Sequence, residues 1–187
     1  YALYLGYYGS GTLTIDDGGQ LVTGSNPAGC WSALGTTGGS AGTADIIDGT
    51  WDCRGSLFVG GSGSYGPGGS GTVNIYADGV LLMGDSPSDH LQFFSGGNVN
   101  LYGGTIRFKS NSALHNSGGS FNFGWGTVAI DADTTVSGGV IATAFGSSVE
   151  IGPAKCLEIT GAATLVDPVT ISGGKLSVGS LVNAPLL

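Results

Sequence analysis

Few side chains in this 187-residue sequence carry reactive chemistry, and their spacing decides what they can do. Three cysteines occur, Cys30, Cys53 and Cys156. Cys30 and Cys53 lie 23 positions apart, with Trp31 and Trp51 beside them. No CxxC pair is present and His90 and His115 are isolated, so no zinc site is expected. The aromatics offer a different chemistry. Tyr4, Tyr7, Tyr8 and Tyr65, with Trp31, Trp51 and Trp125, are of the types that stack on sugars or anchor interfaces. Tyr4, Phe58, Phe121 and Phe123 are expected in stacked aromatic ladders. Tyr7, Tyr8 and Tyr65 fall in glycine-rich corners and are the expected surface contacts.

The carboxylates are eleven aspartates and two glutamates, a ratio that favours turns over helices. Asp16-Asp17 is the one adjacent acidic pair, and it sits at the Gly18-Gly19 turn. β-Helical polysaccharide hydrolases and lyases cluster their carboxylates on a strand face instead. The Asn-Thr-Asp, His-Gly and Arg-Ile-Lys signatures of polygalacturonases are missing, and neither histidine falls in a nucleophile–base pattern. No catalytic residues and no enzyme activity are expected. The run Gly38-Gly39-Ser40-Ala41-Gly42-Thr43-Ala44-Asp45 approaches the G-G-x-G-x-D calcium repeat but has Ala41 in place of a glycine. Calcium, through Asp45, Asp48 and Asp52 or through Asp85 and Asp89, is the one cofactor left open. Solvated turn aspartates are the simpler reading.

Composition narrows the partners. Glycine contributes 38 residues, charged residues only 10 %, and the net charge is −8. Collagen would need glycine at every third position, and disorder would need far fewer than the 41 % hydrophobic residues found. Arg54, Arg107, Lys109, Lys155 and Lys175 are scattered singly, which argues against nucleic acid. Apolar runs are too short for a membrane helix, so no membrane insertion is expected. No signal-peptide pattern opens the sequence.

The elements that position these residues are short strands. Gly11-Thr12-Leu13-Thr14-Ile15 returns as Gly42-Thr43-Ala44-Asp45-Ile46, Gly71-Thr72-Val73-Asn74-Ile75, Gly104-Thr105-Ile106-Arg107-Phe108 and Gly126-Thr127-Val128-Ala129-Ile130. Looser copies end at Ile151, Ile171 and Val178. Leu13/Ile15, Val73/Ile75 and Val149/Ile151 alternate with Thr14, Asn74 and Glu150, the two-residue period of a half-buried strand. Leu3-Tyr4-Leu5-Gly6 matches Leu57-Phe58-Val59-Gly60. A Gly-Gly phrase precedes apolar pairs at Leu21-Val22, Val140-Ile141 and Leu176. Ile15, Ile46, Ile75, Phe108 and Ile130 are read as one series with long, decorated units at first, settling near 20 residues towards Ile171.

These features predict an all-β chain, a β-solenoid of about eight coils in a single domain spanning residues 1–187, with irregular loops that are more decorated in the N-terminal half. A β-sandwich or jelly roll is the competing architecture. Stacked residues on adjacent coils lie within disulfide range, so the spacing of Cys30 and Cys53 predicts a bridge. Cys156, in a strand with Leu157 and Ile159, is expected to face a neighbouring coil rather than a substrate. Both ends of the sequence break inside or just after a repeat phrase, so they are expected to stack on copies of the same chain or to continue in a longer protein.

The stretch Tyr4-Leu5-Gly6-Tyr7-Tyr8-Gly9-Ser10-Gly11-Thr12-Leu13-Thr14-Ile15-Asp16-Asp17-Gly18-Gly19 resembles repeats of bacterial autotransporter passenger domains. It is closer still to large secreted repeat proteins of planctomycetes and other bacteria with PEP-CTERM-type sorting tails. Residues 100–108 and 173–184 carry the same resemblance. It implies export, a right-handed parallel β-helix and a surface or matrix role, and it brings no catalytic residues. The expectation is an extracellular or cell-surface structural protein whose partners are its own copies end to end. An adhesin or carbohydrate-binding passenger that contacts surface polysaccharide is the alternative.

Overall fold

The computed structural model describes residues 2–24, 31–110, 113–137, 140–142, 147–165 and 170–182. Among them every regular element is a strand; no helix is long and apolar enough to cross a membrane. Seventeen strands join one sheet, and every ladder between them is parallel. The chain winds through three faces per coil, as expected of a β-solenoid.

Face A begins at Leu3–Leu5 and is continued by Trp31–Leu34, Ser56–Val59, His90–Phe94, Ala113–Ser117 and Thr134–Ser137. Face B runs from Ser10–Ile15 through Ala41–Ile46 and Ser70–Tyr76 into the first half of Gly97–Phe108 and of Ser120–Ile130. Face C runs from Gln20–Thr23 through Thr50–Cys53 and Val80–Met83 into the second halves of those two long strands. Ser147–Leu165 and Thr170–Val182 then follow all three faces in turn.

Period-two alternation fills the core as read from the sequence. Ile15, Ile46 and Ile75 stack in one inward file and are buried, while Thr14, Asp45 and Asn74 point outward above them. The core cluster is apolar from Ile15 to Ile159. The expected coil-to-coil aromatic ladders do not form: Phe121 and Phe123 lie on one strand, in register with Val99 and Leu101, and Ala33 stands between Tyr4 and Phe58 in their row. One inward position of face A is occupied by Leu57, Leu91, Leu114, Val136 and Ile159. The coil therefore takes 34 residues from Leu57 to Leu91 and only 23 from Leu91 to Leu114.

The register corrects the repeat reading. Ile75 is followed in its file by Leu101, whereas Phe108 stacks under Met83 and over Ile130 on face C. The Gly-Thr phrase therefore moves from face B to face C between residues 75 and 104. In the same way Ile151 lies over Gly173, not Ile171. The three Gly-Gly phrases precede strands on three different faces, at Gln20, Val140 and Lys175. Glycine marks a corner, and a coil has three corners, so an identical phrase does not imply an identical face.

Two side-chain arrangements clamp successive coils from outside. On face B, Asn122 Nδ2 donates to Asn100 Oδ1 (2.7 Å), Asn100 Nδ2 to Asn74 Oδ1 (2.7 Å), and Asn74 Nδ2 to Asp45 Oδ1 (2.8 Å). Beside the end of face C, Lys109 Nζ lies 2.6 Å from both Asp52 Oδ1 and Asp85 Oδ1, and Arg54 Nε donates to Asp52 Oδ2 at 2.7 Å. Burial works to raise the Asp52 carboxyl, but the hydrogen bonds from Lys109 and Arg54 outweigh it and hold it below the ordinary aspartate value. A carboxyl depressed in the folded state stabilises fully above its unfolded pKa, and that stability is lost as pH falls through the folded value. Urea midpoints of the wild type are expected to drop across the carboxylate range, and Asp52→Asn to flatten that drop while lowering the midpoint at neutral pH. An identical acid profile in the variant contradicts the clamp.

Candidate functional site

The aspartates that left calcium open have other partners. Asp45 is taken by Asn74, Asp48 Oδ1 accepts from Gly18 N at 3.3 Å, and Asp52 is held by Lys109 and Arg54. Asp89 does meet Asp85 in their loop, but its Oδ2 accepts from the Asp85 and Ser86 amides, and the Asp85 carboxylate faces Lys109. Among the described residues no three His, Cys, Asp or Glu side chains converge as metal ligands.

Cys30 lies outside the described residues. Cys53 is fully buried on face C, stacked on Thr23 and Met83, and its thiol is pushed up to about 11, chiefly by burial. The two tryptophans that flank the cysteine pair do not stack. Trp51 is inward on face C between Leu21 and Leu81, whereas Trp31 is paired with Ser56 on face A. Cys156 pairs with Lys175 on the adjoining coil, and its amide donates to Asp133 Oδ1 at 2.8 Å.

Tyr7, Tyr8 and Tyr65 come together, although 57 positions separate Tyr8 from Tyr65. The chain leaves face A at Gly6, whose φ is +67°, and this corner throws Tyr7 and Tyr8 outward. Two coils on, the chain leaves the same corner at Gly60 and folds into the antiparallel hairpin Gly61–Ser62 with Gly66–Pro67. That hairpin lies back over face A. Gly61 rests on the Phe94 ring and Gly63 on the Phe58 ring, where a Cβ at residue 63 would come within 2.6 Å of Phe58 Cζ. Phe58, Phe94 and Ala33 are thereby buried in a small outer cluster with Trp31 packed against it. The hairpin tip carries Tyr65, whose amide donates to Ser62 Oγ at 3.2 Å.

The neighbouring Tyr65 and then Tyr8 side chains raise the pKa of Tyr7 above the ordinary tyrosine value. The Thr37 hydroxyl of the next coil donates to the Tyr7 carbonyl. Ring contacts run edge to face from Tyr8 to Tyr7 (4.3 Å), Tyr7 to Tyr4 (5.4 Å), Tyr4 to Trp31 (5.1 Å) and Trp31 to Phe58 (5.5 Å). Such contacts fix ring orientation. The chain of rings passes from the buried Phe58 to Tyr8, which is 82 % exposed, with Tyr65 at 65 %.

No protein-family model, curated protein or solved structure matches this chain.

Two outward features escaped the sequence reading. Tyr76, Tyr102 and Trp125 form an exposed aromatic column on three successive coils; Tyr76 and Tyr102 are 5.7 Å apart, and the Trp125 ring lies over Gly103. The signal was an aromatic just after each inward Ile75, Leu101 and Phe123 file, visible only once the register is known. The second is the pair His90 and His115, with rings 5.4 Å apart on adjacent coils of face A. His115 Nδ1 is 2.9 Å from Ser137 Oγ, and burial, then the charge of His90, lowers its pKa. The cleft beside Arg107, Asp131 and Glu150 measures about 200 Å³, below the ~300–1,000 Å³ of ordinary ligand pockets.

Proposed function

We propose that this chain is a non-catalytic, extracellular structural module, a right-handed parallel β-helix of about eight coils that builds a cell-surface or matrix fibre by end-to-end stacking. The observation that carries the proposal is the parallel pairing of coil on coil, which recurs on all three faces. In such a stack the backbone N–H and C=O groups point along the axis to the coils above and below. Whichever coil ends a stack presents a row of unpaired groups on each face, and the next coil pairs with them whether the same chain or a second copy supplies it. This contact is heterologous and does not close, so it propagates into a fibre. Right-handedness follows from the strong bias of parallel strand–crossover–strand connections within one sheet. The extracellular setting rests on the resemblance of the repeats to exported passenger and surface proteins.

Light scattering and negative-stain microscopy of the purified chain over a range of concentrations test assembly. Filaments whose mean length grows with concentration are expected. A monodisperse monomer with no filaments at high concentration would overturn the proposal.

A further inference from the structure

We propose that His90 and His115 together bind a divalent late transition-metal ion, zinc in particular, which fastens two successive coils of the solenoid. The site lies on the outer side of face A and does not depend on end-to-end assembly.

The first argument is placement. The sequence holds only two histidines, 25 positions apart. They are isolated in sequence, but the register ends that isolation. His90 is paired with Ala113 and Gln92 with His115, so the two histidines are diagonal neighbours on adjacent coils. Their ring centroids are 5.4 Å apart. Zinc sits about 2.0–2.1 Å from an imidazole nitrogen, hence roughly 3.2 Å from the ring centre, and a tetrahedral angle then sets two ring centres about 5 Å apart. The observed separation meets that requirement without movement of either strand. Two imidazoles on one ion need no fixed angle between their planes, so the 74° found here is compatible.

The second argument is the hydrogen bonding behind each ring. His90 Nδ1 lies 3.2 Å from Ser88 O and 3.4 Å from Ser56 Oγ. A carbonyl oxygen only accepts, so Nδ1 carries the proton and Nε2 keeps its lone pair. His115 Nδ1 lies 2.9 Å from Ser137 Oγ, a hydroxyl able to accept the same kind of bond. Metal-binding histidines donate their second ring nitrogen in this way, which fixes tautomer and ring orientation. His90 is held further by Phe58, whose ring meets it edge to face at 5.2 Å. Burial, then the charge of His90, favours the neutral form of His115, which is the form that binds a metal.

The ligand type selects the ion. Imidazole suits zinc, copper and nickel, whereas calcium and magnesium take oxygen ligands. A net charge of −8 favours a cation in general. Among the described residues no third His, Cys, Asp or Glu side chain joins the pair, so water completes the coordination. The bound ion links two coils in the folded chain and stabilises it by mass action.

The test is titration of the whole chain with zinc chloride, by calorimetry and by thermal melting before and after chelation with EDTA. One equivalent should bind, and the melting temperature should rise by about 2–4 °C at a free zinc concentration about five times the dissociation constant. Magnesium chloride should give neither effect. His90→Gln and His115→Gln should each weaken zinc binding at least about tenfold and remove the rise, with melting in EDTA reporting the intact fold. Cys156→Ser, which removes the partly exposed free thiol, should change nothing. In the wild type, zinc should also protect both histidines from diethyl pyrocarbonate, read by mass spectrometry, a result that needs no variant to fold. No saturable zinc binding, an equal response to magnesium, undiminished binding in either histidine variant, or equal modification with and without zinc would each overturn the assignment. Loss of binding in Cys156→Ser with an intact fold would overturn it too, by moving the site to the thiol.

Discussion

Replacing Trp51 with alanine is expected to cost the fold about 3–5 kcal/mol, the range for removing a large aromatic from a packed core. Trp51 is fully buried on face C, in file between Leu21 and Leu81 on the coils either side. Its indole Nε1 donates to Thr23 Oγ1 at 2.8 Å, and Thr23 is itself buried. The substitution therefore opens a cavity and leaves a hydroxyl without its partner, a further penalty of about 1–3 kcal/mol where no water replaces the donor. Solenoid stability is roughly a sum of coil and neighbour terms, so the loss should spread to the coils carrying Leu21 and Leu81. Urea unfolding followed by fluorescence and by circular dichroism measures it. Trp125→Ala, at a side chain 47 % exposed, serves as the comparison and should shift stability by no more than about 0.5 kcal/mol. Equal effects at the two positions would contradict the inward assignment of Trp51.

Gly35→Ala should cost about as much as truncating a core leucine or isoleucine to alanine, although it adds only one methyl group. Gly6, Gly35 and Gly60 occupy the same corner on three successive coils, each with φ between 65° and 76°. Their amides and carbonyls link the coils: Gly35 N donates to Leu5 O and Gly60 N to Leu34 O. A Cβ at residue 35 would lie 2.1 Å from Ser70 O, a backbone atom of the next coil. Alanine in the left-handed region costs roughly 1–2 kcal/mol, and forcing atoms into a packed site typically adds about 1–3 kcal/mol. A loss of about 2–5 kcal/mol, or failure to fold, is the expected result. Gly38→Ala is the control, because Gly38 is exposed with open space at its Cβ; it should be neutral or slightly stabilising. If the two variants melt alike, the corner geometry is wrong.

These two positions also show what could be read from residues alone. Alternation of apolar and polar residues in Leu13-Thr14-Ile15 and Val73-Asn74-Ile75 is local, so the strands and their inward faces were legible. The Leu-aromatic-aliphatic-Gly phrase was equally informative. Leu3 and Leu57 do share one file, through Ser32. The rung order beyond Ile75 was not legible, because Gly-Thr marks any corner and coil length changes from one turn to the next. Lateral chemistry depends on that order. The Asp45–Asn74–Asn100–Asn122 ladder has steps of 29, 26 and 22 residues, and Lys109 reaches back 57 residues to Asp52. No periodicity announces such contacts. Tyr7, Tyr8 and Tyr65 were identified one at a time as corner aromatics, while their meeting requires the hairpin after Gly60 to fold back over face A.

A single stack of coils in this register fixes one long-range distance across face B. Thr12, Thr43, Thr72, Asn98 and Ser120 follow one another in the same outward row of face B. Four steps of about 4.8 Å place the backbones of Thr12 and Ser120 about 19 Å apart, despite the 108 positions between them. Spin labels at these two exposed residues, measured by double electron–electron resonance, should give one narrow distribution centred near that value once the label linkers are allowed for. A broad distribution, or one centred beyond about 30 Å, would contradict the stack and with it the fibre built upon it.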